Sequence, residues 1–298
     1  MPDATHHREP AELESRVRQL LAADEATRTL AGGNFVPLHG GQSNHAWRVE
    51  LRDCAWSVRL NAADAVRLGV DRSSECRLLG IAAAAGLAPA VLRCDPQAGL
   101  LVCRFLEGRS WTREDFSLPE NLGRLGRLLR RLHELPASDE IQEVSFGQQA
   151  RGLESEVPED RLPVALGAQA SKVFARLAVR QADCLCHNDL HHLNVVDGGE
   201  RLWLVDWEYG GRGDPLYDLA SCLCQHPEPR SALAGLLPGY GGSLPGSASE
   251  LEDACWAFDY VRLLWYLAQD TPGQEISADF RAIAGQIERS LEHRMPRA

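Results

Sequence analysis

Residues 187–208 read HNDLHHLNVVDGGERLWLVDWE. Asp189 and Asp206 stand seventeen positions apart, each beside a short apolar run that reads as a strand, and Asn194 lies between them. A charge at the end of a buried strand is costly unless something offsets it. The runs CLC at 184–186 and LWLV at 202–205 aim all three side chains from neighbouring turns toward one place. Asn194 and Asp206 are hard oxygen donors of the kind Mg²⁺ prefers, an ion that keeps waters and shares itself with substrate phosphates. A third carboxylate, Asp189, set near a substrate hydroxyl, can orient it and accept its proton.

Around this stretch the composition is that of a folded protein. The chain has 298 residues, 44% of them hydrophobic, enough for a substantial core in one large domain or two lobes. A net charge of −11 argues against general nucleic-acid binding, because phosphate contacts need a basic surface. Nine cysteines, scattered and odd in number, do not make a small disulfide scaffold. The N-terminus MPDATHHREPAELESRVRQLL has no apolar signal-peptide core, and no run of about 18 apolar residues offers a membrane span. The expectation is a cytoplasmic protein with free thiols.

Residues 9–30 carry Leu13, Val17, Leu20 and Leu21 at helical spacing. FVPLHGGQSNHAWRVEL (35–51) reads as strand, Gly-rich turn, strand, and AWSVRLN (55–61) as a further strand in which Val58 and Leu60 flank Arg59. SSECRLLGIAAAAGL (73–87) is a helix, with Ser73 or Ser74 as N-cap and Gly86 as its stop. AVLRCD (90–95) and GLLVCRFLEG (99–108) read as a hairpin pair. After Gly108 long helices take over; 136–162 reads as polar and irregular, and 238–248 as a loop. The chain is therefore α+β, with a small β-rich N-terminal lobe over 1–106 and a larger, mainly helical C-terminal lobe over 107–298. Such a pair of lobes invites a cleft between them.

Two further groups have more than one reading. Cys184, Cys186, His187, His191 and His192 are all good zinc ligands. Strand alternation turns Cys184 and Cys186 to one side, however, and the spacing fits no zinc-ribbon pattern, so His191 and His192 are read as loop residues. In EDACWAFDYVRLLWYLAQD (252–270), Trp256, Tyr260, Leu263 and Leu267 share one helical stripe, and Val261, Trp265 and Ala268 the next. These aromatics are either core or a box for a cation, since an aromatic face attracts a quaternary ammonium by roughly 0.5–2 kcal/mol. Asp259, Asp270 or Glu208 would add charge attraction.

The order H-x-D-x-x-x-x-N, then a strand ending in Asp, is the protein-kinase-like pattern. The form HNDLHHLN…LVDWEYGGRGDPLYDLA resembles the choline/ethanolamine kinase and aminoglycoside phosphotransferase superfamily, and looks most like its bacterial choline kinases and thiamine kinases. The resemblance runs from about 35 to nearly 270 and is most specific over 187–220. It implies a protein-kinase-like bilobal fold and transfer of the γ-phosphate of ATP, with Mg²⁺, to a primary hydroxyl of a small cationic alcohol. Choline or ethanolamine leads, thiamine follows, and aminoglycosides come third; a nucleotide-binding pseudokinase is the non-catalytic alternative. It implies Asp189 as catalytic base, Asn194 and Asp206 as Mg²⁺ ligands, His187 and Asp218 as supports of the catalytic loop, and Glu208 as a metal or substrate contact. On the nucleotide side it implies the loop with Gly41, Gln42, Ser43 and Asn44, then Arg59 in place of a strand lysine with Glu75 as its partner, and backbone at Cys103 and Phe105 for adenine. The aromatic helix resembles the choline-kinase helix that supplies tryptophans to the ammonium, with Trp265, Trp256 and Tyr260 as candidates.

Overall fold

The structure is a computed structural model, and it describes residues 10–38, 44–61, 69–180, 183–226, 228–269 and 278–294. The chain divides into two compact units, Met1–Ala65 with Leu79–Glu107, and Val66–Leu78 with Gly108–Ala298.

The first unit is built on a five-stranded antiparallel sheet. Its strands are β1 (Asn34–Leu38), β2 (His45–Leu51), β3 (Cys54–Leu60), β4 (Val91–Asp95) and β5 (Leu100–Arg104), in the order β1-β2-β3-β5-β4. Apolar residues alternate along the strands as the period of two requires. Trp47, Val49, Val58, Leu60, Leu100 and Val102 face one core, and helix α1 (Pro10–Ala22) adds Val17 and Leu21 to it. Arg59, between Val58 and Leu60, is turned to the other face. The single helix expected over 9–30 is two pieces. Thr27 donates its hydroxyl to the Leu21 carbonyl at 2.9 Å and so closes α1, and a short 3₁₀ turn follows at Arg28–Gly32.

Helix α2 (Arg72–Ala84) begins in residues that group with the second unit. That unit is mainly helical, as expected: α3 (Pro119–His133), α4 (Phe146–Glu154), α5 (Val164–Leu177), α6 (Pro215–Cys224), α7 (Pro229–Tyr240), α8 (Ala248–Ala268) and α9 (Ala278–His293). Helices α3 and α7 touch backbone to backbone. A Cβ at Gly126 would lie 2.2 Å from the Leu236 carbonyl oxygen, and one at Gly239 2.0 Å from that of Gly123, so only glycine fits. Three sequence expectations are corrected here. The segment 136–162 contains α4, short but capped by the Ser145 side chain, with Phe146, Ala150 and Leu153 buried along one face. The loop expected from 238 begins later, because Pro238 is accommodated near the end of α7 and Gly241, at φ 123°, ends it. Seven of the cysteines are free thiols, whereas Cys76 and Cys94 are disulfide-bonded, which corrects the expectation of free thiols throughout.

Short strands carry the turns of the opening stretch. β7 (Cys184–Cys186) pairs antiparallel with β10 (Gly211–Gly213), and β8 (Val195–Asp197) pairs with β9 (Leu202–Leu204) and with β6 (Arg109–Ser110).

Candidate active site

The chain leaves β7 through His187 and turns sharply at Asn188, whose φ of 65° is left-handed. Asparagine tolerates that conformation better than most residues, because its short polar side chain bonds locally. Here Asn188 Nδ2 donates to the Tyr209 carbonyl at 3.0 Å. The turn is bolted from beneath. Asp218, fully buried on α6, accepts from the backbone N–H of His187 at 3.0 Å and of Asn188 at 2.6 Å. Ser221, one turn along the helix, accepts from Leu190 N at 2.6 Å. Burial pushes the Asp218 carboxyl up, but His133 and these donors outweigh it and hold it below its usual value. His187 donates from Nε2 to the Val205 carbonyl at 2.9 Å and accepts at Nδ1 from Asp189 N at 3.3 Å, which fixes its tautomer. Burial pushes its imidazole down, toward the neutral form.

Asp189 projects from this frame. Its Oδ2 accepts from Asn194 Nδ2 at 3.0 Å, and the same amide reaches the Asp189 carbonyl at 2.8 Å. Its Oδ1 accepts from Gln225 Nε2 at 3.4 Å, and His191 Nε2 stands 3.5 Å from Oδ2. Burial pushes the Asp189 carboxyl up, yet His191, His187 and Gln225 prevail and hold it below the usual carboxylate value. It is an ionised, oriented acceptor. Because Nδ2 of Asn194 is committed to Asp189, its carboxamide oxygen points away from that residue.

The second turn follows β9. Asp206 has φ 62° and is exposed. Val205 N donates to the Asn194 carbonyl at 3.0 Å, so the two turns are bonded to each other. Trp207 folds inward, its indole N–H donating to the Leu204 carbonyl at 2.9 Å. Glu208 is buried and accepts from Arg72 Nη1 at 3.0 Å, while the same nitrogen donates to Glu75 at 2.8 Å. Tyr209 accepts at its hydroxyl from Trp265 Nε1 at 2.9 Å, and the Trp265 ring meets Tyr266 edge-on at 5.2 Å. Burial, then the charge of Glu208, push the Tyr209 phenol well up.

Of the residues expected in a site, Asp189 and Asn194 meet directly, His187 and Val205 tie them to the Asp206 turn, and Asp218 holds the first turn from beneath. Trp265 joins the Glu208–Tyr209 side. Trp256 and Tyr260 do not. They stack on each other at 5.7 Å, and Tyr260 donates to Glu154 of α4 at 2.8 Å. Trp256 and Trp265 are nine residues apart, about 180° around a helix, so the two tryptophans face opposite sides. In the first unit, Arg59 Nε donates to Asn61 at 3.0 Å. Phe105 N donates to the Ala55 carbonyl at 3.0 Å, with the Arg48 guanidinium 4.7 Å over its ring, and Cys103 is buried on β5. Asn44 precedes β2; Gly41, Gln42, Ser43 and Asp270 lie outside the described residues. Sequence reasoning missed Arg72, Tyr209, Gln225 and His133. Only Arg72, three residues before Glu75 on one helix, left a local signal.

The carboxamide oxygen of Asn194 and the exposed carboxylate of Asp206, on two turns bonded to each other, are hard oxygen donors of the kind that suits Mg²⁺. No helix of the described residues is long and apolar enough to cross a membrane. Among curated proteins, LicA of Haemophilus influenzae is 40% identical over 55 residues, which is 18% of this chain and 21% of LicA, so the match spans about a fifth of that relative. A choline/ethanolamine kinase family protein from Mesorhizobium loti superposes with a TM-score of 0.76 at 26% identity, covering 95% of both chains. Choline kinase LicA from Streptococcus pneumoniae superposes at 0.78 and 18%, covering 95% of this chain and 99% of its own. LicA in complex with AMP does so at 0.76 and 18%, covering 95% and 98%. These overlaps give the fold as protein-kinase-like. The model of the phosphotransferase enzyme family matches residues 34–251, most of the chain. The Asp189–Asn194 turn and the Asp206 turn thus sit in a member of that family: this chain belongs to the phosphotransferase enzyme family.

Proposed function

We propose that the protein transfers the γ-phosphate of ATP to the primary hydroxyl of a small cationic alcohol, choline or ethanolamine first. The observation that carries this reading is the Asp189 carboxylate, held from both sides by Asn194 and Gln225. In phosphoryl transfer the protein contributes chiefly position and electrostatics. Asp189 orients the acceptor hydroxyl and takes its proton at a carboxylate oxygen. Asn194, through its carboxamide oxygen, and Asp206, through its exposed carboxylate, hold Mg²⁺. When bound, that ion offsets charge on the phosphate oxygens. Arg59, with Glu75 beside it in role, and the loop from Gly41 to Asn44 serve the phosphates, and backbone near Cys103 and Phe105 serves the adenine.

The cationic acceptor is supported by Trp265, whose indole N–H reaches the Tyr209 hydroxyl just after the Asp206 turn, and by the neighbouring carboxylate of Glu208. The likeness to choline and ethanolamine kinases supports the same class. Cytoplasmic location is part of the proposal. An ATP-consumption screen against choline, ethanolamine, thiamine, sugars and aminoglycosides tests it. Turnover with choline or ethanolamine at a kcat/KM at least tenfold above the rest is expected. Preference for thiamine or an aminoglycoside moves the acceptor, and ATP binding without turnover on any acceptor turns the reading to a pseudokinase.

A further inference from the structure

Below the catalytic turn, on the far side of Asp218, lies a second cluster that this chemistry does not use. Cys184 and Cys186 occupy alternate positions on β7 and so point to one side. Their Sγ atoms are 3.6 Å apart, and both are buried. His133, in the last residue of α3, closes the group: one ligand atom from each of the three lies within 4.8 Å of the other two. We propose that Cys184, Cys186 and His133 form a binding site for a thiolate-preferring dication, zinc(II), that anchors the catalytic turn.

The sulfur spacing fits without rearranging the strand. Zinc–sulfur bonds of about 2.3 Å in a tetrahedral site set the two sulfurs about 3.7 Å apart. The imidazole is already in the tautomer a metal needs. His133 Nε2 lies 2.9 Å from Asp218 Oδ2, an acceptor, so Nε2 carries the proton and Nδ1 keeps its lone pair. The Tyr240 hydroxyl donates to Nδ1 at 2.7 Å. A bound ion would displace that hydrogen bond, and the three protein ligands would leave the fourth position to a neutral oxygen donor such as water. A histidine ligand whose other nitrogen donates to a carboxylate is the usual outer arrangement of a zinc site.

The charges also balance. Each thiol now makes only long sulfur hydrogen bonds, Cys184 to the Gly213 carbonyl at 3.6 Å and Cys186 to the Asp214 carbonyl at 3.4 Å. Binding breaks two S–H bonds, forms two S–Zn bonds and releases two protons to water. One dication replaces two protons, so the buried cluster gains no net charge, which removes the main cost of burying an ion. Magnesium, which takes oxygen ligands, is not a competitor here. The readout reaches the active site through one residue. Asp218 accepts from His133 on one side and from the backbone of His187 and Asn188 on the other, so an ion that fixes His133 stiffens the turn carrying Asp189.

Cys186 is completely enclosed, so the ion enters as the chain folds, and the experiment must supply it then. The full chain, without a histidine tag, is unfolded in chelator and refolded with Zn²⁺ or Co²⁺, then desalted into chelator. About one zinc per chain is expected by elemental analysis, and the cobalt form should show thiolate-to-cobalt charge transfer and intense tetrahedral ligand-field bands. Cys184→Ser with Cys186→Ser should fall below about a tenth of that metal content, whereas Asp189→Asn should keep all of it. Wild-type protein that refolds without retaining metal overturns the proposal, as does metal retained without the thiolate band, and neither result depends on the variant folding. Because metal content is read without any acceptor or ATP, failure here is separate from failure of the kinase reading.

Discussion

Two turns, after β7 and after β9, solve the same problem in opposite ways. Each places a non-glycine residue in left-handed backbone, Asn188 at φ 65° and Asp206 at φ 62°. The first is held by buried groups on every side: Asp218 and Ser221 beneath, His187 across to Val205, and Tyr209 through the Asn188 amide. The second folds Trp207 inward, its indole donating to the Leu204 carbonyl, and leaves the Asp206 carboxylate exposed. A group that must meet a hydroxyl at one angle needs a rigid mount. A group that must meet a hydrated ion needs open space and little else. Both turns use left-handed backbone; what differs is burial, Asn188 lying against a buried helix and Asp206 facing solvent.

The comparison is most open to breaking at the first turn. Asp189→Asn should preserve the fold and nucleotide binding but lower kcat by about 10²–10⁴. A variant that turns over near the wild-type rate would show the rigid mount carries nothing catalytic. Asp218→Ala should act through stability first. It strands two buried N–H groups and His133, at a cost of roughly 3 kcal/mol in urea unfolding. If loss of Asp218 costs no more than an ordinary surface change, the first turn is no better held than the second.

A sharper version concerns the two faces of α8. Trp265→Leu should raise the acceptor KM by up to about 30-fold, near 2 kcal/mol, with the ATP KM unchanged, because it removes an aromatic face from a cation. Trp256→Leu should lower stability by a few kcal/mol and leave both KM values alone, because its ring packs in the interior. Equal effects on acceptor KM would mean that neither face is privileged.

The smallest expected effect lies on the hairpin that carries Asn194. Asp197 accepts from Arg124 at 2.6 and 2.8 Å and from Trp111 Nε1 at 3.1 Å. Arg124, then Trp111 and the Gly199 backbone, hold its carboxyl at about 2 against an ordinary 3.8. Its folded-state value is depressed, so its contribution is fully present above about pH 4 and is lost as pH falls toward 2. Asp197→Asn should flatten the acid limb of stability between pH 4 and 2, measured by thermal melts, and a limb of unchanged slope would assign it to other carboxylates.

Much of this is legible in the sequence. The helix–strand partition follows periods of 3.6 and 2, and the positions of Asp189, Asn194 and Asp206 follow from short apolar runs that end in polar residues. The meeting of Asp189 with Asn194 needs only a five-residue loop. What stayed hidden depends on distant residues. Arg72 and Glu208 are 136 positions apart, and no local pattern joins them. His133 reaches Cys184 and Cys186 from another helix, whereas the sequence offered nearer but wrongly directed partners in His187, His191 and His192. The stripes of α8 were visible as stripes, but which one meets the Asp206 turn is a matter of how helices pack, not of spacing. Segment α4 was missed because nine residues hold too few repeats for a period to stand out.

The side-chain bolts beneath the first turn also set how its amide protons exchange with solvent. Loop amides ordinarily swap with water almost freely. Those of His187, Asn188 and Leu190 are instead bound to Asp218 and Ser221, two fully buried residues of α6. None of the three can be released unless the turn lifts off that helix or the helix itself unravels. Exposing them therefore costs the buried bonds to α6, and this loop should carry deuterium-exchange protection well above that of an ordinary exposed loop.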